Sequence, residues 1–509
     1  ESGLLQPFVS IILKRSDEEK AEEVMSIIND CLRSLITDGI STDLVEASIN
    51  FIEFQLREAE SPRYPKGLYY NMVALESWLY DADPLMHLNY TPWIKKIREL
   101  ASKGYFEDLI RMHLLENMHR SLVVLRPRQG LAEERERADR ERLASFKRSL
   151  SRDEIMRLVE GNRKLNEYQS TPDTEENLAK IPMLAINDIN REPERIPAER
   201  RDLTGIPVVH TPVPTSGIAY LSLVFDPTAV EEEMLPYLGL LGGLMGKVST
   251  KKRRYEELSN LLNRYTGGTF IHLNNYSERD EPWRFHPRLI VKSKVLFEQL
   301  PRALPVVGEL IADTIFTEKE RIREVIREMK SRYEMQVIPQ GHIVARKRAL
   351  SYFSPMEKFD DLAGGISFYR FLAKTERDYD ALFPSLCDNL ARVHGAVFGL
   401  NNLTLGITSD EAGYARVAME AGALTANLPD TPFTAAGYSP GLAVLNEGFM
   451  LPQSQVQYIA KACNFTKHGC TFSGKMNALS SVIRLDYLWN RVRVQGGAYG
   501  AFINIQRNG

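Results

Sequence analysis

Two groups of side chains have the types that hold metal ions: His113, Glu116 and His119, and Cys463, His468 and Cys470. The first spacing, H-x-x-E-x-x-H, is wrong for one ion, because positions six apart on a helix lie about 120° apart around its axis. Two imidazoles placed that way cannot share a tetrahedral centre. In the second group no fourth ligand stands at zinc-finger spacing, and the intervening NFTK reads as a turn, so a buried thiol pair beside a surface histidine is expected. The chain contains neither H-E-x-x-H nor H-x-x-E-H, no P-loop and no dinucleotide fingerprint. Residue types and spacing alone therefore supply no complete active site and no metal site.

The elements that must position any site are numerous. At 509 residues the chain exceeds what one hydrophobic core supports, so several domains are expected. Hydrophobic residues at 43% and charged residues at 26% mark a globular protein, and a formal charge of -3 gives no bulk attraction to nucleic acid. Four cysteines, Cys31, Cys387, Cys463 and Cys470, are too few for a disulfide framework and favour a reducing compartment. No apolar run reaches the roughly 18 residues needed to cross a bilayer. Both ends are expected to be cut, since FVSIILKR at the start and AYGAFINI at the finish read as strands lacking their surroundings.

After FVSIILKR, Ser16 and Glu19 offer a capping box, and Val24, Ile27, Cys31, Leu32 and Leu35 form the stripe of a helix that Gly39 stops and that should pack on a sheet. SLVVLRP, 121–127, reads as a buried strand. From Leu131 the composition turns charged, with Glu133 four before Arg137 and Glu136 four before Arg140, and Ser151 with Glu154 opens a second helix. A helical hairpin is expected over about 131–195. Beyond Gly205, IPVVHT and GIAYLSLVFD read as paired strands, Glu231 to Met245 as helical, and YEELSNLLNRYTGG as a helix ended by glycines. TFIHLNNY, PRLIVKS and LTLGITSD add strands, and Thr317 with Glu320 should cap a helix bearing Ile322, Val325, Ile326, Met329 and Tyr333 on one face. The Pro- and Gly-dense stretch at 425–441 marks a boundary, followed by a strand at VQYIAKAC and a helix from Ala478 to Val492. The fold class is α+β, with a mostly antiparallel sheet and helices on one side.

The run from FVSIILKR to NMHRSLVVLRP, the charged hairpin and above all RLDYLWNRVRVQGGAYGAF resemble the presequence-protease branch of the pitrilysin and insulinase superfamily of inverted-motif zinc peptidases. The resemblance covers nearly the whole chain. It implies most of a second domain at 1–127, a helical linker at 128–204, a third domain at 205–425 and part of a fourth at 426–509. It also implies that zinc, in the full-length enzyme, is held by an H-x-x-E-H helix and a further glutamate in a first domain that this segment lacks. In the third domain the equivalent helix reads GLLGGLM, so Gly239, Gly242 and Gly243 stand where His, Glu and His would be. Arg493 and Tyr499 match a pair that reaches the active site, where tyrosine donates to an oxyanion and arginine holds a substrate carbonyl or carboxylate. Arg491 is a weaker candidate for that role.

The function expected from this resemblance is the non-zinc-binding portion of a metalloendopeptidase that degrades unstructured peptides such as targeting presequences, inactive by itself. A non-catalytic scaffold and a peptide-binding subunit of the same ancestry are the alternatives. The expected partners are peptides and the missing N-terminal catalytic domain, with no nucleic acid and no membrane span; the oligomeric state stays open. The expected compartment is the cytoplasm of a bacterium or, alternatively, an organelle matrix.

Overall fold

The described residues form one six-stranded sheet, its strands being β1 (Glu199–Leu203), β2 (Ile206–Pro212), β3 (Ile218–Phe225), β4 (Thr269–Ser277), β5 (Phe285–Leu296) and β6 (Leu403–Ser409), and alternating apolar residues between Ile206 and Ser409 build all of them but β1. The computed structural model describes residues 4–13, 17–59, 64–193, 195–281, 283–436, 438, 440–449 and 456–507. Strand order is β1-β2-β6-β3-β5-β4, and only the β2–β6 pair is parallel. Register carries one row of side chains across the sheet, from Val208 through Leu405, Leu223 and Val291 to Ile271. The first four are almost fully buried, as a period of two demands when one sheet face is covered.

Helices supply the cover. Leu235–Leu244, Leu300–Ala312, Lys319–Val337, Tyr379–Val397 and Glu411–Thr425 all contribute buried side chains to the same core as the strands. Each buried leucine, isoleucine or valine among them is worth about 1.5–3 kcal/mol relative to exposure. Ile322, Val325 and Ile326 occupy the expected inward face of Lys319–Val337. Its start differs from expectation: Glu318, not Thr317, is the N-cap residue, and the Glu318 carboxylate accepts from the Ser249 amide at 2.8 Å. The helix is thereby tied to the loop after Leu235–Leu244, a contact that outcompetes the local capping box.

The chain divides into two compact units, 1–39 with 104–196 and 40–103 with 197–509. In the second unit helix Thr42–Glu58 packs on helix Tyr255–Tyr265, where Arg264 pairs with Asp43 and Glu46 and Phe54 is buried with Ile218 and Leu296. The first unit holds helices Ala21–Thr37, Leu131–Ser149 and Arg152–Ser170, none with a buried residue. Ser151 and Glu154 form the expected capping box, and Glu136 pairs with Arg140 at 2.7 Å; Glu133 and Arg137 form no ion pair among the described residues. No helix of the described residues is long and apolar enough to cross a membrane.

Several expectations fail for one reason, that a strand needs a partner for its backbone groups as well as apolar side chains. The described residues of FVSIILKR, and SLVVLRP, VQYIAKAC and AYGAFINI, are extended or irregular and pair with no strand. Helix Ala21–Thr37 accordingly packs on the helical turn Tyr105–Ile110 rather than on a sheet. IPVVHT and GIAYLSLVFD are strands but not each other's partners, because β6 lies between them. The helix expected over Ala478 to Val492 begins at Lys475 and continues as a π-helix, Ile483–Gln495. The capping pair of Ser16 and Glu19 lies outside the described residues, since Ser16 does.

Candidate functional site

Arg493 and Tyr499 sit at the end of the π-helix and just beyond it. The chain leaves the helix through Gly497, whose φ of 74° lies in the left-handed region that glycine occupies without strain. The Gly497 amide donates to the Arg493 carbonyl at 3.0 Å and the Ala498 amide to the Val492 carbonyl at 3.1 Å, closing the helix end. The Arg493 guanidinium lies 3.9 Å from the centre of the Trp489 ring, one turn earlier, and this cation–π contact holds the planar fork at the surface. Tyr499 is 91% exposed. Both side chains are thus open to a ligand, and both can donate hydrogen bonds to oxygen. Arg491 is instead engaged with Gln495 at 3.1 Å on the same helix.

The helix Leu235–Leu244 carries the three glycines at the positions where the family resemblance puts ligands. A Cβ at Gly239 would lie 2.0 Å from the Ala363 carbonyl oxygen and 3.1 Å from the Phe368 ring, so the neighbouring backbone occupies the space a side chain would need. At Gly243 the nearest atoms are the Met329 thioether end at 2.3 Å, and at Gly242 the nearest is Ile271 at 3.7 Å. At Gly239 the space beside the helix is taken by the helix Pro355–Gly364, which carries Ala363. These residues do not fit a zinc ion.

The other clusters singled out from the sequence fit no better. His113 lies in a π-helical turn, Arg111–Leu115, Glu116 caps it, and His119 falls beyond it, so the three do not share one helix as assumed. The turn through NFTK is present as a 3-10 helix, Phe465–His468, capped by the Asn464 side chain. Cys463 and Cys470, however, are exposed rather than buried, because the strand that was to bury Cys463 does not form. Sequence reasoning missed a different group, Glu199, His210 and Glu411, whose ligand atoms lie within 4.8 Å of one another. Its members are separated by 11 and 201 positions; the register of β1 on β2 sets Glu199 opposite His210, and the parallel pairing of β2 with β6 brings in Glu411, at the start of the helix that follows β6. The signal available was the turn D-L-T-G-I, which closes the β1–β2 hairpin with the Gly205 amide donating to Asp202 at 2.9 Å.

Comparison with known proteins places sequence matches along most of the chain. The family described as associated with subfamily C of the M16 peptidases matches residues 125–374, and the "PreP C-terminal domain" matches 446–509. "Protein HypA" of Clostridium perfringens is 35% identical over 509 residues, all of this chain and 52% of that protein. "Presequence protease 1, chloroplastic/mitochondrial" of Arabidopsis thaliana is 30% identical over 506 residues, 98% of this chain and 46% of that protein. The chain therefore spans about half the length of these curated relatives. Among solved structures, an inactive peptidase M16 domain from Pseudomonas fluorescens aligns with 48% of this chain and 54% of its own at a TM-score of 0.35 and 13% identity.

Proposed function

We propose, because this chain belongs to the presequence-protease branch of the M16 peptidases, that it forms the portion of a zinc-dependent oligopeptidase that does not hold the catalytic zinc, the whole acting on unstructured peptides. The four-part plan with divisions at 127, 204 and 425 is the domain arrangement that goes with this reading. The ligands of the catalytic zinc belong to a first domain outside the segment, and the segment by itself cleaves nothing. The observation that carries the reading is Gly239 in helix Leu235–Leu244, where the Ala363 carbonyl fills the space of the missing ligand. A fold that retained a working zinc helix here would leave that space to an imidazole.

What the segment contributes is substrate handling. The Tyr499 hydroxyl donates to the oxyanion that develops on the scissile carbonyl, and Arg493 holds a neighbouring carbonyl or carboxylate in a planar fork. The exposure of Tyr499 and the pairing of Arg493 with an aromatic ring rather than a carboxylate support this assignment, since neither donor is consumed internally. Extended peptides are suitable substrates because their backbone groups are free to be held this way. The compartment is the cytoplasm for a bacterial source and an organelle matrix otherwise.

The test uses the complete protein with its zinc domain. Tyr499→Phe should lower kcat by about 10²-fold with little change in KM. Arg493→Ala should chiefly raise KM, and Arg493→Lys should rescue poorly. Tyr168, 81% exposed on helix Arg152–Ser170, is the control; Tyr458 is unsuitable, because its hydroxyl donates to the Ile338 carbonyl at 2.6 Å. Unchanged cleavage of an unstructured peptide by both Tyr499→Phe and Arg493→Ala, in folded and zinc-loaded protein, overturns the assignment.

A further inference from the structure

His210 stands in β2 with its side chain fully buried. Its Nε2 lies 3.0 Å from the Ser409 carbonyl oxygen, and because a carbonyl only accepts, Nε2 carries the proton. In the neutral ring Nδ1 is then a bare lone pair, and it has no hydrogen-bond partner among the described residues. It faces Glu411 Oε1 at 3.8 Å, with Glu199 across the strand pair. A buried acceptor aimed at carboxylates is an arrangement that costs free energy unless something positive comes between them.

One positive group is already near. Arg201 pairs with Glu199 at 2.6 Å and with both oxygens of Glu411 at 2.6 and 3.0 Å, while its guanidinium lies 4.3 Å from the centre of the Tyr414 ring. Arg201 does not, however, supply the hydrogen bond that His210 Nδ1 lacks. The two carboxylates and one guanidinium leave a net charge of -1 beside that lone pair.

We infer that Glu199, His210 and Glu411 form a binding site for a divalent cation of the zinc or cobalt class, with His210 coordinating through Nδ1. The donor set of one imidazole and two carboxylates suits such ions. The carbonyl that accepts from Nε2 is the outer partner that fixes a ligating histidine's tautomer. Metal–ligand bonds of about 2.0 Å put tetrahedral ligand atoms about 3.3 Å apart, so the 4.8 Å cluster must contract. Both glutamates are exposed and free to swing inward, whereas the histidine is already fixed. Arg201 is the competitor: it gives up its carboxylate bonds on loading and remains on the Tyr414 ring. A fourth position is left open to water.

Cobalt and zinc titrations of the dialysed 509-residue chain test this, by calorimetry and by the visible spectrum of Co²⁺. One ion per chain is expected, with a nitrogen and oxygen spectrum and no thiolate charge-transfer band. Glu199→Gln and Glu411→Gln, both surface changes, should each weaken binding at least about 10-fold, the low end for lost coordination-sphere partners. His210→Gln should abolish it, and Arg201→Gln should tighten it. Absence of saturable binding in both the wild-type and Arg201→Gln chains refutes the site, even if His210→Gln fails to fold. So does binding that survives Glu199→Gln and Glu411→Gln unchanged, or a thiolate band that places the ion at Cys463 and Cys470.

Discussion

Replacing Gly239 by alanine adds one methyl group to helix Leu235–Leu244, and the direction of the effect separates packing from propensity. That methyl carbon would stand 2.0 Å from the Ala363 carbonyl oxygen, against about 3.3 Å for a tolerated carbon–oxygen approach. The two helices must part by more than an ångström or shift along one another. Overpacking of this kind costs about 1–3 kcal/mol, while the intrinsic gain of alanine over glycine in a helix returns up to about 1 kcal/mol. With the full propensity gain the net expectation is a loss of up to about 2 kcal/mol. Gly242→Ala, three residues on, meets only Ile271 at 3.7 Å and should stabilise by about 0.5–1 kcal/mol. Gly243→Ala falls between them, because the Met329 end that it meets is flexible. Urea unfolding followed by circular dichroism, with midpoints compared at equal slope, measures all three. Equal stabilisation by Gly239→Ala and Gly242→Ala would refute the close backbone approach, and with it the reason that this helix cannot carry a ligand.

Acid stability should depend on His394, whose Nε2 donates to the Ile311 carbonyl at 2.8 Å and whose burial lowers its pKa to about 4. Below about pH 6.5 the unfolded chain takes up a proton that the folded chain refuses until about pH 4, so stability falls with pH across that window, by up to about 3 kcal/mol. Stability curves of His394→Gln should be flatter there, and an unchanged slope would count against the argument. Amides of helices Leu131–Ser149 and Arg152–Ser170, which bury no side chain, should exchange hydrogen faster than those of Lys319–Val337, whose Ile322, Val325 and Ile326 are locked in the core. Equal protection in an exchange experiment would mean that these helices have cover of their own.

What could be read from the chain alone follows the reach of each interaction. Helices such as Tyr255–Tyr265 and Arg152–Ser170 were legible because their stripes and caps lie within a few residues. β2, β3, β4, β5 and β6 were legible as strands, but their neighbours were not: β6 enters between β2 and β3 from almost 180 residues away, and local pattern has no information about that pairing. β1 was invisible for another reason. Its residues Glu-Arg-Arg-Asp-Leu have poor strand propensity, and they are held by the turn at Thr204 and Gly205 and by β2. The same blindness hid the candidate cation site, since Glu199 acquires meaning only once β1 is paired in register with His210.

Arg493, Tyr499 and the three glycines mark the opposite limit. Nothing in their own spacing assigns them chemistry, and they became visible only through a family pattern that supplied the expected residues. For the glycines, geometry then adds an independent reason, because Gly239 excludes a side chain on contact with Ala363 whatever its ancestry. For Arg493 and Tyr499 the geometry supplies readiness: a guanidinium paired with an aromatic ring and an exposed phenol are donors not yet spent on the protein itself. Donors held that way lose little when a substrate carbonyl arrives, which is why loss of turnover on removing one hydroxyl, rather than loss of stability, is the quantity that decides their role.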